Sequence, residues 1–248
     1  MSEETPEHVA QRLTRPELPK RFYKTAAAAP RDGGFGLFLD GRIVKTPARR
    51  PIVVGSAAVA DALAREWDKQ LERIDPATMP LTRIVNVAID RVAEAMHEVR
   101  GEIVSYAGSD LICYRAEAPQ ELVQRQSEAW DPLVTWAREA LGAPLMLASG
   151  VVYVAQPEIA TEAVARALGD YPPLELTAIS TITALTGSAI IALALARGRL
   201  SAQEAWDAAL IDEEWQADQW GHDPLAEKAR AFRRGELDAA GLILSAAL

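Results

Sequence analysis

Residues 34–71 read GFGLFLDGRIVKTPARRPIVVGSAAVADALAREWDKQL, and within this stretch the apolar pattern changes its period. Up to Gly55 the apolar runs are short and separated by turn formers. Asp40-Gly41 stands between GFGLFL and RIVK, and a type I′ turn there needs positive φ at both central positions, which Asp-Gly supplies. Pro47 and Pro51 mark the following strand as an edge, because proline cannot donate to a ladder. From Ser56 the period becomes helical: Val59, Leu63, Trp67 and Leu71 recur every four residues and form one apolar face. A small β unit thus gives way to helices.

Working back from this stretch, RFYKTAAAA and the Pro30-Arg31-Asp32-Gly33-Gly34 turn extend the β unit to residues 20–55, behind an N-terminal tail over 1–19. Working forward, residues 56–248 read as a larger helical domain. Pro76 and Pro80 break the chain, and Thr82 is placed to cap a second helix through Asp90. Ala118-Pro119 starts another with proline at the first helical position, and Asp131-Pro132 marks a restart or kink in it. Residues 141–158 form a connector in which Val151–Val154 suits a short strand. A short helix follows over 158–169, ended by Gly169 and Pro172-Pro173. Ser201-Ala202-Gln203-Glu204 is a capping box opening a helix that runs towards Trp220-Gly221. Asp223-Pro224 starts the last helix, which Gly235 interrupts. The expected class is α+β: a small β-rich N-terminal domain and a mainly helical one.

The 248 residues are 49% apolar and 25% charged, which suffices for a real core. One cysteine, Cys113, excludes an internal disulfide framework and fits a reducing compartment. The first twenty residues lack an apolar run and carry Glu3, Glu4 and Glu7, unlike a secretory or mitochondrial leader, so a bacterial cytoplasmic protein is expected. Net charge is −9, which argues against nucleic acid as a partner. Residues 20–50 nevertheless carry eight bases against Asp32 and Asp40, a net of +6, leaving −15 on the rest. A basic stretch of this kind is a solvated face or a contact for an anionic protein surface.

Leu176–Ala196, LTAISTITALTGSAIIALALA, has no charge and is long enough to span a bilayer. Its many Ser and Thr residues dilute it, and Thr186-Gly187-Ser188 offers a break. It is expected to be a buried helix pair and not a membrane insertion, although a membrane-associated scaffold is one competing function.

No phosphate loop, HExxH or nucleophile elbow occurs. Gly33-Gly34-Phe35-Gly36 lacks the strand–GxGxxG–helix context and reads as a turn. Cys113 sits among apolar neighbours as a buried thiol, and His8, His97 and His222 are scattered. No cofactor is expected. The richest polar cluster is IDEEWQADQWGHD at 211–223. Glu214, Asp218 and His222 are four apart, so a helix would align them. This leaves open a metal-dependent hydrolase, an exposed acidic face, or partner-binding acids. Trp215 and Trp220 flank the cluster and suit either core packing or an interface anchor beside oriented charge.

With these residues in view, the chain resembles the F1-ATPase assembly chaperones of mitochondria and alphaproteobacteria that bind the alpha subunit. The pieces run in order: RFYK at 21–24, LDGRIVKTPARRP at 39–51, EWDKQLERIDPATMPLT at 66–82, NVAID at 86–90, DLICYRAEAP at 110–119, WDPLVTW at 130–136 and EEWQADQWGHD at 213–223. The resemblance implies a non-catalytic chaperone that holds the free alpha subunit and prevents its aggregation until the beta subunit replaces it. It also implies a functional acid in the segment E-[YW]-Q-x-x-x-W-G, which maps to Glu214, with Glu213 one residue away. Glu213, Glu214, Trp215 and Trp220 are therefore the candidate partner-binding residues.

Overall fold

A computed structural model describes residues 17–150, 152–169, 171–221 and 223–248. Strands β1 (Ala26–Arg31) and β2 (Gly34–Leu39) form an antiparallel hairpin in the register Ala26↔Leu39 to Arg31↔Gly34. A Cβ at Gly34 would stand 2.3 Å from the Val54 carbonyl oxygen, so only glycine fits this approach. The Asp40-Gly41 turn has φ of 46° and 76° and leads into β3 (Arg42–Ile43), as its type I′ chemistry requires. Strand β4 (Val53–Val54) pairs with the other end of β2. Between β3 and β4, the proline-bearing turn is gripped from outside: Asp90 accepts from the Thr46 hydroxyl at 2.6 Å and the Ala48 amide at 3.0 Å.

Helix α1 (Ala57–Asp68) lays Val59, Ala60 and Leu63 against β1 and β2. It ends before Leu71, which is 81% exposed and not part of the apolar face its spacing predicted. The reason is tertiary. The Arg21 guanidinium takes the carbonyls of Asp68 and Gln70, and the buried Gln70 side chain turns to the Asp75 amide (2.8 Å) and Thr78 (3.1 Å). Helix α2 (Pro80–Asp90) is not capped by Thr82. Glu66 of α1 accepts the Leu81 and Thr82 amides, both at 2.8 Å, and the Thr82 hydroxyl at 2.6 Å. A carboxylate from another helix thus satisfies the orphan donors of the first turn. Burial pushes the Glu66 carboxyl above its ordinary pKa despite these bonds.

The apolar stretch forms two helices, α6 (Pro173–Thr186) and α7 (Ala189–Ala196), parted at Gly187 with φ 68° and restarted by Ser188, whose hydroxyl accepts the Ile191 amide. Of its threonines, Thr177, Thr181 and Thr186 donate their hydroxyls to carbonyls four residues back, whereas the buried Thr183 hydroxyl has no hydrogen-bond partner among the described residues. Helices α2, α3 (Met96–Ala107) and α10 (Pro224–Ser245) pack round α6. No described helix is long and apolar enough to cross a membrane. Fully buried Asp110 accepts the Ile190 amide at 3.1 Å and the Ile112 amide at 3.3 Å, joining the chain before β5 (Tyr114–Arg115) to the start of α7.

Five local expectations need correction. Helix α4 (Gln120–Trp136) continues through Pro132 without a restart, and Pro119 precedes it as the cap residue. The strand of the connector is β6 (Ala148–Ser149), which pairs in parallel with β5; Val152–Val154 is not a strand, and Val151 lies outside the described residues. After α5 (Glu158–Ala167), the single helix expected from Ser201 is two, α8 (Ala202–Ala209) and α9 (Ile211–Trp220), broken where buried Leu210 packs with Trp206 and Leu237. Helix α10 runs unbroken through Gly235, because burial of Leu237, Ala240, Ile243 and Leu244 outweighs the cost of one glycine, about 1 kcal/mol.

Candidate protein-binding surface

The capping box at Ser201 forms as its sequence requires: the Ser201 hydroxyl accepts the Glu204 amide at 3.2 Å, and Glu204 accepts the Ser201 amide at 2.8 Å. Two buried side chains then fix α8 and α9 against α4. Trp130 donates its indole N–H to the Ala208 carbonyl at 2.7 Å. Gln126 donates to Asp212 at 2.7 Å while accepting the Ala116 amide at 2.8 Å. The break at Leu210 lets α9 turn away, and a groove of about 490 Å³ remains between α4 and the α8–α9 corner.

The acids of IDEEWQAD divide by what faces them. Asp212 accepts from Gln126. Glu213 holds Arg233 through both oxygens, at 3.0 and 2.6 Å. Asp218 meets Arg125 at 3.1 Å, and the same guanidinium meets Glu121 at 3.0 Å and lies 4.9 Å from the centre of the Trp215 ring. Those two carboxylates raise the Arg125 pKa, Asp218 the more strongly. Glu214 differs: its carboxylate is exposed and forms no hydrogen bond or ion pair with any described residue.

Glu214 lines the groove with Glu128, Glu204 and Asp207, over a floor that includes Leu133, Leu200, Ala208 and Ile211. Among the described residues Arg125 is the one cation lining it, and its charge is already engaged. The result is an anionic rim round an apolar floor. Sequence reasoning did not find Glu128, Asp207 or the groove role of Glu204. The spacings Glu121–Arg125 and Gln203–Asp207 signal solvent-facing helix surfaces, but nothing local says that those surfaces adjoin.

The four candidate residues do not form one cluster. Trp215 is buried, 9% exposed, beneath Arg125. Trp220 is 79% exposed and lines, with Glu213, a separate cleft of about 270 Å³ between α9 and α10. Glu214 alone of the four faces the groove. As for metal chemistry, Asp218 is occupied by Arg125, His97 is exposed on α3, and His8 and His222 lie outside the described residues. Among the described residues no group of three or more His, Cys, Asp or Glu side chains is placed to hold a metal. Burial pushes the Cys113 thiol up to about 12, which leaves no thiolate at neutral pH.

Comparison with known proteins bears on the whole chain. The family model described as ATP12 chaperone protein matches residues 20–138. The mitochondrial protein atp12 of Schizosaccharomyces pombe is 24% identical over 215 residues, covering 82% of this chain and 74% of that protein. The crystal structure of Atp12 from Paracoccus denitrificans is 37% identical, covers 93% of this chain and 99% of its own, and superposes with a TM-score of 0.84. The Atu1473 protein of Agrobacterium tumefaciens is 45% identical over 100% of this chain and 93% of its own, with a TM-score of 0.88.

Proposed function

Because this chain belongs to the ATP12 chaperone family, we propose that it is a non-catalytic chaperone for assembly of the F1 sector of ATP synthase, binding the free alpha subunit until the beta subunit replaces it. The observation that carries the binding face is Glu214: three neighbouring acids have partners inside the fold, and Glu214 stands at the mouth of an apolar groove with no partner among the described residues. An apolar floor gains free energy by covering an exposed subunit interface. An anionic rim selects a partner segment carrying Lys or Arg and speeds encounter with it. Such a chaperone needs no fuel. It stabilises the free subunit by mass action and yields when the true neighbour binds with the more favourable free energy. The setting we assign is the bacterial cytoplasm.

The test is reconstitution. Purified alpha subunit mixed with the chaperone, without nucleotide, is expected to elute as a discrete complex on size exclusion. Adding beta subunit is expected to release the chaperone. A chaperone that remains bound after beta assembles with alpha, or one that acts only when ATP is hydrolysed, contradicts this mechanism.

A further inference from the structure

The loop Arg21-Phe22-Tyr23-Lys24 presents Phe22 to solvent, 73% exposed, on a backbone that is held from both sides. Arg21 donates to the carbonyls of Tyr23 at 3.1 Å, Lys24 at 2.9 Å and Asp68 at 3.0 Å. Asp40 accepts the Lys24 amide at 3.1 Å and the Thr25 amide at 2.9 Å. Underneath, Tyr23 is buried, donates its hydroxyl to the Trp67 carbonyl at 2.7 Å, and meets the Phe22 ring edge-on at 5.4 Å. These bonds immobilise the loop without covering Phe22. An aromatic ring left in water on an ordered backbone has the properties of a binding anchor, since its ordering entropy is lost on folding and not on association.

Beside Phe22 opens a groove of about 660 Å³ with Leu39 and Val44 on its floor and Arg42 and Lys45 on its rim. Neither cation forms an ion pair with any described residue. Among the described residues the one carboxylate lining the groove, Asp40, is committed to the amides of Lys24 and Thr25. We propose that this groove is a second docking site, for an acidic segment of the same client: an apolar side chain packs on Phe22 while flanking carboxylates meet Arg42 and Lys45. The occupant follows from charge. Arg42 and Lys45 line this groove with no ion-pair partner among the described residues, so it attracts carboxylates where the helical groove repels them. Joining two modest patches on one partner raises the effective affinity beyond either alone. The identity of the client rests on the function proposed above.

The experiment measures binding of purified alpha subunit to the wild type and to the triple variant Phe22→Ser/Arg42→Glu/Lys45→Glu. A second arm places a photocrosslinking phenylalanine analogue at position 22 of the otherwise wild-type chain. Binding by the triple variant is expected to weaken about 10-fold or more with an unchanged melting curve. The crosslink is expected on an alpha-subunit segment bearing carboxylates. Wild-type affinity in the folded triple variant overturns the second site while leaving the client assignment intact, and a crosslink to a second copy of this chain or to a basic segment overturns it too. Should the triple variant fail to fold, Lys45→Glu alone decides, with weakened binding expected and unchanged binding contrary. A wild type that does not bind the alpha subunit refutes the client and this occupant together.

Discussion

Asp110 lies fully buried and accepts amides from the turn that follows it and from the start of α7. Burial raises its pKa to about 6, which the Ser188 hydroxyl and the amides of Ile190, Ile112 and Ala189 offset only in part. The folded value exceeds the ordinary carboxyl value, so the fold favours the neutral acid. Its contribution is complete below about pH 4 and is lost as pH rises through 6. Between pH 4 and pH 7 the wild type is therefore expected to lose roughly 2 kcal/mol of stability more than Asp110→Asn, whose side chain does not titrate. Urea unfolding at a series of pH values checks this, and a parallel dependence in the two proteins contradicts it. Asp40 has the opposite sign: the Thr25 and Lys24 amides hold its pKa below the usual range, so its contribution is present above about pH 4 and fades as the solution turns acid. What surrounds a carboxylate decides its role, and the sequence shows only part of that surrounding. Asp40 announces its turn because its chemistry is local. Glu66 reaches the amides of Leu81 and Thr82 only through the packing of α1 on α2, and no local pattern assigns it as their cap.

Among the elements, those defined by adjacent residues were readable and those defined by packing were not. Asp40-Gly41 and Ser201–Glu204 carry their turn and cap chemistry within four residues, and both form. Thr186-Gly187-Ser188 likewise marks the break between α6 and α7. The division of α8 from α9 has no glycine or proline to mark it; it comes from burial of Leu210 against Trp206 and Leu237. Gly235 and Pro132 are breakers by type, yet each lies in a helix whose neighbours hold it. The β hairpin gives a ranked test. At Gly41 a Cβ meets no atom within 4 Å, so Gly41→Ala is expected to cost only the positive φ, about 1 kcal/mol. At Gly34 the same Cβ stands 2.3 Å from the Val54 carbonyl as well, so Gly34→Ala is expected to cost more, about 2 kcal/mol or above. Chemical denaturation that ranks the two in reverse order removes the close β2–β4 approach as a determinant of the β unit.

Taken whole, the molecule separates its charges: a cationic groove on the N-terminal sheet and an anionic groove at the corner of α8 and α9. The sequence indicated this asymmetry through its net of +6 over residues 20–50, and the resemblance pointed to Glu214 within its acidic segment. It gave no sign that α4 supplies the opposite wall of that groove. Glu204 lines the same groove as Glu214, so its reversal cannot stand as a control for general charge effects. Glu102, exposed on α3, is the better comparison. Reversing either exposed charge should shift folding stability by only about 0.5 kcal/mol. A like charge set against a basic partner costs several kcal/mol at an interface. The decisive measurement is aggregation of purified alpha subunit, followed by light scattering, in the presence of wild type, Glu214→Lys or Glu102→Lys, each confirmed as folded by circular dichroism. Suppression by wild type and Glu102→Lys, with its loss in a folded Glu214→Lys, is the expected result; equal suppression by all three, or none by the wild type, would contradict it.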